Sequence, residues 1–225
     1  MGTHGKHRTH LVWDWNGTLL DDNVAVVGAT NAAFGEVGVA PITLEQYREM
    51  YCIPIPRFYE RLMGRLPTEA EWERMDGVFH RYYTERRVAC GLTEGAEELL
   101  AQWRLAGRSQ SLLSMYTHDD LVPVVRGYGI ESHFLRVDGR TGPSGGSKAH
   151  YMERHIAALG GDGISPERTV VIGDAVDDAV AAAHVGARAV LYTGGSHSRA
   201  SLEAAGVPVV DSLAEAARLA EELAG

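Results

Sequence analysis

The stretch Thr9-His10-Leu11-Val12-Trp13-Asp14-Trp15-Asn16-Gly17-Thr18-Leu19 sets the pattern that the rest of the chain repeats. Its first half is short, apolar and rich in β-formers, and Asn16-Gly17 then breaks it. It therefore reads as a buried strand that ends on Asp14. The same form recurs at residues 109–114 (Ser-Gln-Ser-Leu-Leu-Ser) and 169–173 (Thr-Val-Val-Ile-Gly), and more briefly at 188–192 and 207–210. Helical patterns alternate with these runs. Thr93 is placed to cap a helix carrying Leu99, Leu100 and Trp103, stopped by Gly107. Ser147 is placed to cap another, through Met152, Ile156 and Leu159 to Gly160. Asp211-Ser212 opens a last helix with Leu213, Ala216, Leu219, Ala220 and Leu223 on one side. Alternating strands and helices predict an α/β fold, a Rossmann-like parallel sheet covered on both faces.

Residues 21–90 break the alternation. Segments 24–34, 44–51, 57–63 and 69–87 are helix-prone, no convincing strand lies among them, and Pro41, Pro54, Pro56 and Pro67 punctuate them. The reading is an all-helical insertion (21–90) after the first strand, with residues 1–20 and 91–225 forming the Rossmann-like core. Placed there, the insertion sits above the carboxyl ends of the strands, where open α/β sheets bind ligands. Residues 141–147 (Thr-Gly-Pro-Ser-Gly-Gly-Ser) read as a short flexible loop.

Composition narrows the function classes. The chain has 225 residues, 45% hydrophobic and 23% charged, enough for one α/β domain with an insertion. Lys+Arg 21 against Asp+Glu 30 gives a net charge of −9, which argues against nucleic acid or an anionic membrane as the main partner. No apolar run is long enough to span a bilayer, and residues 1–10 hold no apolar stretch that predicts a secretory signal. Cys52 and Cys90 form no paired motif, so a reducing cytoplasm is the expected setting. Of the basic side chains only Lys6 and Lys148 are lysines; all the others are arginines.

Four segments at strand or helix ends carry chemistry. Asp14 ends the first strand, and Gly17 frees the backbone that follows it, a combination able to attack or bind phosphorus. Ser114 ends the second run and offers a hydroxyl. Lys148 is a compact cation near a helix N-terminus, suited to holding a phosphate. Gly173-Asp174-Ala175-Val176-Asp177-Asp178 puts three acids after a third strand. Acids at two strand ends can together hold a hard divalent ion such as Mg2+.

This set, in this order, resembles the haloacid dehalogenase-like hydrolase superfamily, whose first motif reads Asp-x-Asp-x-Thr where this chain has Asp14-Trp15-Asn16-Gly17-Thr18. The insertion between first and second motifs resembles the type-1 cap of the phosphoglycolate phosphatase and phosphomutase branch. The resemblance implies that Asp14 is a nucleophile forming an aspartyl-phosphate. It implies that Ser114 and Lys148 hold the phosphoryl group, assisted by backbone N–H groups near Gly17 and Thr18. It also implies a Mg2+ site made by Asp14, the backbone carbonyl of Asn16, and Asp174, supported by Asp178. The implied substrate is a small phosphorylated metabolite. The metal-free dehalogenase branch fits less well, because Gly173-Asp174 keeps the metal ligand.

Asn16 departs from the pattern. The family's phosphatases place an Asp there, which protonates the leaving oxygen and then activates water. An amide cannot exchange that proton, and general acid–base catalysis contributes roughly 10²–10⁴-fold. Three accounts stay open: a substrate with a good leaving group, a substitute such as His118 or a residue of the insertion, or a weak phosphatase that mainly binds. Retained but reduced phosphatase activity is the expectation, ahead of phosphomutase-type transfer and of a regulatory phosphate-ligand binder.

Other residues take plainer readings. Trp13 reads as core; Trp15 as pocket mouth or packing; Asp177 as a solvated first-turn acid. His4, His7 and His10 read as a polar tail, His118 as a surface loop residue, and Arg57 as part of a solvated helix face.

Overall fold

A computed structural model describes residues 9–52, 54–142 and 147–224. The first strand, β1 (His10–Trp13), is buried along its whole length. It alternates between two cores: Leu11 and Trp13 join one, Val12 the other. Burial on both faces favours a nearly continuous apolar run, which Leu11–Trp13 supplies, while the one polar member, His10, has its ring nitrogens hydrogen-bonded.

After β1 come β2 (Leu20–Asp21), α1 (Asn23–Gly35), α2 (Leu44–Met50), α3 (Ile55–Met63), α4 (Glu69–Arg87) and β3 (Gly91–Leu92). The rest is α5 (Ala96–Leu105), β4 (Ser109–Thr117), α6 (His118–Gly127), β5 (Val137–Arg140), α7 (Lys148–Leu159), β6 (Thr169–Gly173), α8 (Val176–His184), β7 (Arg188–Tyr192), α9 (Arg199–Glu203), β8 (Val209–Val210) and α10 (Leu213–Ala224).

Six strands form one parallel sheet in the order β5-β4-β1-β6-β7-β8. Helices cover both faces, α5 and α10 over the Trp13 core and α7 and α8 over the Val12 core. The Rossmann-like α/β architecture is therefore present. Order reverses at β1, whose neighbours β4 and β6 come from opposite windings of the sheet. At such a switch point a crevice opens beyond the carboxyl ends of the strands.

Helices α1–α4 stand where the break in alternation predicts helices, and they bury a core of their own around Phe34, Tyr47, Phe58, Tyr59 and Met75. Two of them start on reciprocal caps, Thr43 with Gln46 and Thr68 with Glu71.

Several expectations need correction. The helical insertion is bracketed by a two-stranded antiparallel ladder, Leu20 opposite Leu92 and Asp21 opposite Gly91, so strand structure does border it. Thr93 does not cap α5. Gly95, at φ 74°, holds the N-cap position, while the Thr93 hydroxyl donates to the Thr18 carbonyl at 2.5 Å. Strand β4 runs on to Thr117, and β5 and α6 lie in a stretch read as neither strand nor helix. His10 is a buried member of β1, with ring nitrogens hydrogen-bonded to Ser109 Oγ (2.9 Å) and Ser111 Oγ (2.8 Å), not part of a polar tail. His4, His7 and the middle of the 141–147 loop lie outside the described residues. Ser147 does cap α7, its hydroxyl accepting from Ala149 N–H at 3.2 Å.

Candidate active site

Register fixes the site. Trp13 lies opposite Leu112 of β4 and Ile172 of β6, so Asp14 leaves β1 one register step before Ser114, which lies within the neighbouring β4, and Asp174, which follows the last residue of the other neighbour, β6. Asp14 N–H donates to the Ile172 carbonyl at 2.9 Å and so continues the ladder one residue beyond β1. Lys148, first residue of α7, and Asp178, in the first turn of α8, come in from one side of the sheet.

All four charged groups are buried: Asp14, Asp174, Asp178 and Lys148 are between 1% and 7% exposed. Lys148 Nζ donates to Asp14 Oδ1 and, at 2.5 Å, to Asp178 Oδ1. Asp178 Oδ2 accepts from Ala175 N–H at 3.0 Å. Asp174 Oδ2 accepts from both the N–H and the hydroxyl of Ser196, each at 2.7 Å. Carboxylate oxygens of Asp14, Asp174 and Asp178 all lie within 4.8 Å of one another.

Burial dominates the electrostatics. It drives the Asp14 carboxyl well above the ordinary carboxylate range, with the Asp178 and Asp174 charges adding to it and Lys148 opposing. Burial and the Asp178 charge push Asp174 up to about 6. Lys148 shows the reverse balance: burial disfavours its charge, but the Asp14 and Asp178 carboxylates outweigh that and hold the ammonium protonated.

Three carboxylates facing one ammonium leave a formal charge of −2, the complement of a divalent ion. The Thr18 hydroxyl sits 3.5 Å from Asp14 Oδ2 and 3.4 Å from Asp174 Oδ1, long for such bonds, and its single proton cannot serve both. Hard oxygen donors with unmet acceptor capacity suit Mg2+. The residues present therefore fit that ion.

Gly17 holds φ 70°, and a Cβ there would stand 2.7 Å from Asp174 Oδ2, so only glycine lets the loop approach the acid. Its N–H is committed to the Leu20 carbonyl and Asp22 Oδ1, and Thr18 N–H goes to the Trp15 carbonyl. These two N–H groups are thus spent inside the loop, contrary to the expectation that they meet phosphate. Ser114 is buried beside the cluster, its Oγ accepting from Tyr116 N–H at 3.0 Å.

Asn16 turns toward the helical insertion. Its Nδ2 donates to Asp22 Oδ2 at 2.8 Å and to Tyr83 Oη, on α4, at 2.6 Å. His118 begins α6, with Nδ1 accepting from Gly139 N–H at 3.1 Å, and is not a loop residue. Trp15 is packing: it is buried, edge-on to Tyr128. Arg57 is exposed as expected, 3.4 Å from Glu60. Asp177 is half-buried, with its carboxyl raised by burial and by the Asp178 charge, so it is less solvated than its first-turn position suggests.

Sequence reading missed Asp22, Tyr83, Ser196 and Arg48. Arg48, on α2, donates to the carbonyls of Gly195 and Gly194, each at 2.7 Å, clamping the loop that carries Ser196 to Asp174. Gly194-Gly195-Ser196 after β7 repeats the strand-end glycine signal seen at Gly17, and could have been found by it. No sequence signal pairs Asp22 with Tyr83.

A Rossmann-like sheet with an acid at each of two adjacent strand ends, a buried lysine bridging the first of them to a third acid at a helix start, and a helical insertion after the first strand defines a class of hydrolase. The chain belongs to the haloacid dehalogenase-like hydrolase family, whose model matches residues 9–186. It is 27% identical to a phosphoglycolate phosphatase of Synechococcus elongatus, over 87% of this chain and 88% of that protein. It is equally 27% identical to the tyrosine-protein kinase PtkA of Mycobacterium tuberculosis, over 80% of this chain and 60% of that protein. Among solved structures, a haloacid dehalogenase-like family protein of Streptococcus pneumoniae superimposes with TM-score 0.77 at 19% identity, covering 94% of this chain and 98% of that one. The structure of the M. tuberculosis kinase gives TM-score 0.75 at 26% identity, covering 96% and 99%. No helix among the described residues is long and apolar enough to cross a membrane.

Proposed function

We propose that the protein is a cytoplasmic phosphatase of a small phosphorylated metabolite, working through an aspartyl-phosphate on Asp14. The observation that carries this reading is Lys148, whose ammonium bridges Asp14 and Asp178 at the head of a three-carboxylate cluster. Such a cluster is costly to bury, and ionisable groups gathered this way mark functional sites. The phosphoglycolate phosphatase relative supports the same chemistry.

Asp14 Oδ would attack phosphorus, and Lys148 would hold the phosphoryl oxygens and lower the repulsion between anion and nucleophile. The Ser114 hydroxyl, freed to rotate, would hold another phosphoryl oxygen. Bound Mg2+, held by Asp14, Asp174 and the Asn16 carbonyl, would neutralise the charge shared by carboxylate and phosphate. Asp178 would fix Lys148 and the start of α8, and Ser196 would orient Asp174. We read residues 21–90 as a cap and 1–20 with 91–225 as the catalytic core, the cap excluding water when it closes.

The test is phosphate release from p-nitrophenyl phosphate and acetyl phosphate, with and without Mg2+, by wild type and Asp14→Asn. Turnover that needs both Mg2+ and Asp14 supports the reading. No such turnover on either donor would leave a phosphate-binding protein instead.

A further inference from the structure

The hydrogen bonds around Asn16 determine which way its amide faces. Asp22 is 1% exposed, and three donors converge on its carboxylate. Gly17 N–H reaches Oδ1 at 2.9 Å, Tyr83 O–H reaches Oδ2 at 2.7 Å, and Asn16 Nδ2 reaches Oδ2 at 2.8 Å. The Tyr83 proton is spent on Asp22, so its oxygen accepts from Asn16 Nδ2 at 2.6 Å. Turning the amide over would press Asn16 Oδ1 against a carboxylate oxygen, acceptor to acceptor. Both Nδ2 hydrogens are therefore committed to the insertion side, and Oδ1 is the polar atom left to meet substrate or water.

Resting on the phosphatase reading, we infer that Asp22 and Tyr83 lock Asn16 as a hydrogen-bond acceptor, making the site selective for phosphoryl donors whose leaving group departs as a stable anion, acyl phosphates above all. In the first half-reaction an Asp14 oxygen bonds to phosphorus and the bond to the leaving oxygen breaks. The departing carboxylate keeps the electron pair and takes no proton. In the second, water bonds to phosphorus, the Asp14 carboxylate leaves, and both water protons stay with the inorganic phosphate released as its monoanion. Asn16 Oδ1 orients that water by accepting one hydrogen bond, which needs no proton exchange. An alkyl phosphate, whose alkoxide must be protonated as it leaves, finds no donor at this position. Asp22 and Tyr83 are positioning residues.

The test is the leaving-group dependence of kcat/KM across acetyl phosphate, p-nitrophenyl phosphate, phenyl phosphate and glycerol phosphate. It is measured with the Mg2+-loaded wild type, N16D, and N16D with D22N. The wild type should fall steeply along the series. N16D alone replaces a donor by a second acceptor against Asp22 Oδ2 and should gain little on glycerol phosphate. In the double variant the amide introduced at position 22 can donate to the carboxyl introduced at position 16. In that variant the ratio of kcat/KM on glycerol phosphate to that on acetyl phosphate should rise of the order of 10²-fold over wild type, within the range of a general acid. A flat wild-type series would overturn the inference while leaving the phosphatase reading intact. So would N16D alone matching the double variant. Absence of Asp14-dependent turnover on every donor would overturn both.

Discussion

Replacing Lys148 by methionine isolates the electrostatic problem that the site poses. Methionine keeps most of the side-chain volume, so little cavity is opened, but it removes the ammonium between Asp14 and Asp178. These carboxylates are buried, and Asp174 stands close by. Removing one partner of a buried pair costs about 3–5 kcal/mol, because the other is left as an uncompensated charge. For a chain of this size each kcal/mol moves Tm by about 2–4 °C. The expected fall in a chelator-treated sample is therefore roughly 6–20 °C. Excess Mg2+ should raise the variant's Tm by more than it raises that of the wild type, since the site has gone from a formal −2 to −3 and has lost a repelling cation. Adding Asp14→Asn to the variant should recover part of the loss, as one of the stranded charges disappears. Thermal unfolding followed by circular dichroism measures all three. An unchanged Tm in Lys148→Met would refute the claim that this lysine holds the cluster together.

Other perturbations separate geometry from charge. Lys148→Arg should lower turnover, because a planar guanidinium cannot occupy the space between two carboxylates that a point-like ammonium fits; unchanged kinetics would contradict this. Gly17→Ala should weaken Mg2+ binding and cost about 1–3 kcal/mol, since its Cβ would meet Asp174 at positive φ; a Mg2+ titration and a melting curve read both effects. His10 is held neutral, its pKa pushed down to about 3 by burial and by neighbouring His155. The unfolded chain takes a proton there near pH ~6.5 that the fold refuses, so stability from this group is full above that pH. It should fall by up to about 1.4 kcal/mol per pH unit between about 6.5 and 3. Urea unfolding across that range should show a shallower slope in His10→Gln, and parallel slopes would contradict the assignment.

What could be read from the sequence follows from how far each signal reaches along the chain. Strands β1 and β6 are buried on both faces and so carry uninterrupted apolar runs. Asp14 and Asp174 stand at their ends, and a strand's end is a local feature. Lys148 was conspicuous as one of two lysines in a chain that otherwise uses arginine. The edge strand β5, Val137–Arg140, has no such pattern. Its Gly139 is explained only by crossing chain, since a Cβ there would run into the backbone of Tyr116 and His118. The two-residue ladder of β2 and β3 is too short to show any period. The environment of Asn16 depends on Asp22 and Tyr83, 61 residues apart, and no local pattern links them. Thus the substitution at position 16 was legible as a loss, whereas the partners that give the amide its direction required the fold.

A covalent phosphoryl group on Asp14 can be captured by borohydride. The enzyme is incubated with acetyl phosphate and Mg2+, quenched with borohydride and mapped by peptide mass spectrometry. An acyl phosphate on Asp14 would be reduced to homoserine at that position, and this conversion is expected in wild type with Mg2+ but not without it. Continued turnover with Asp14 unmodified, or with the trapped residue elsewhere, would contradict it.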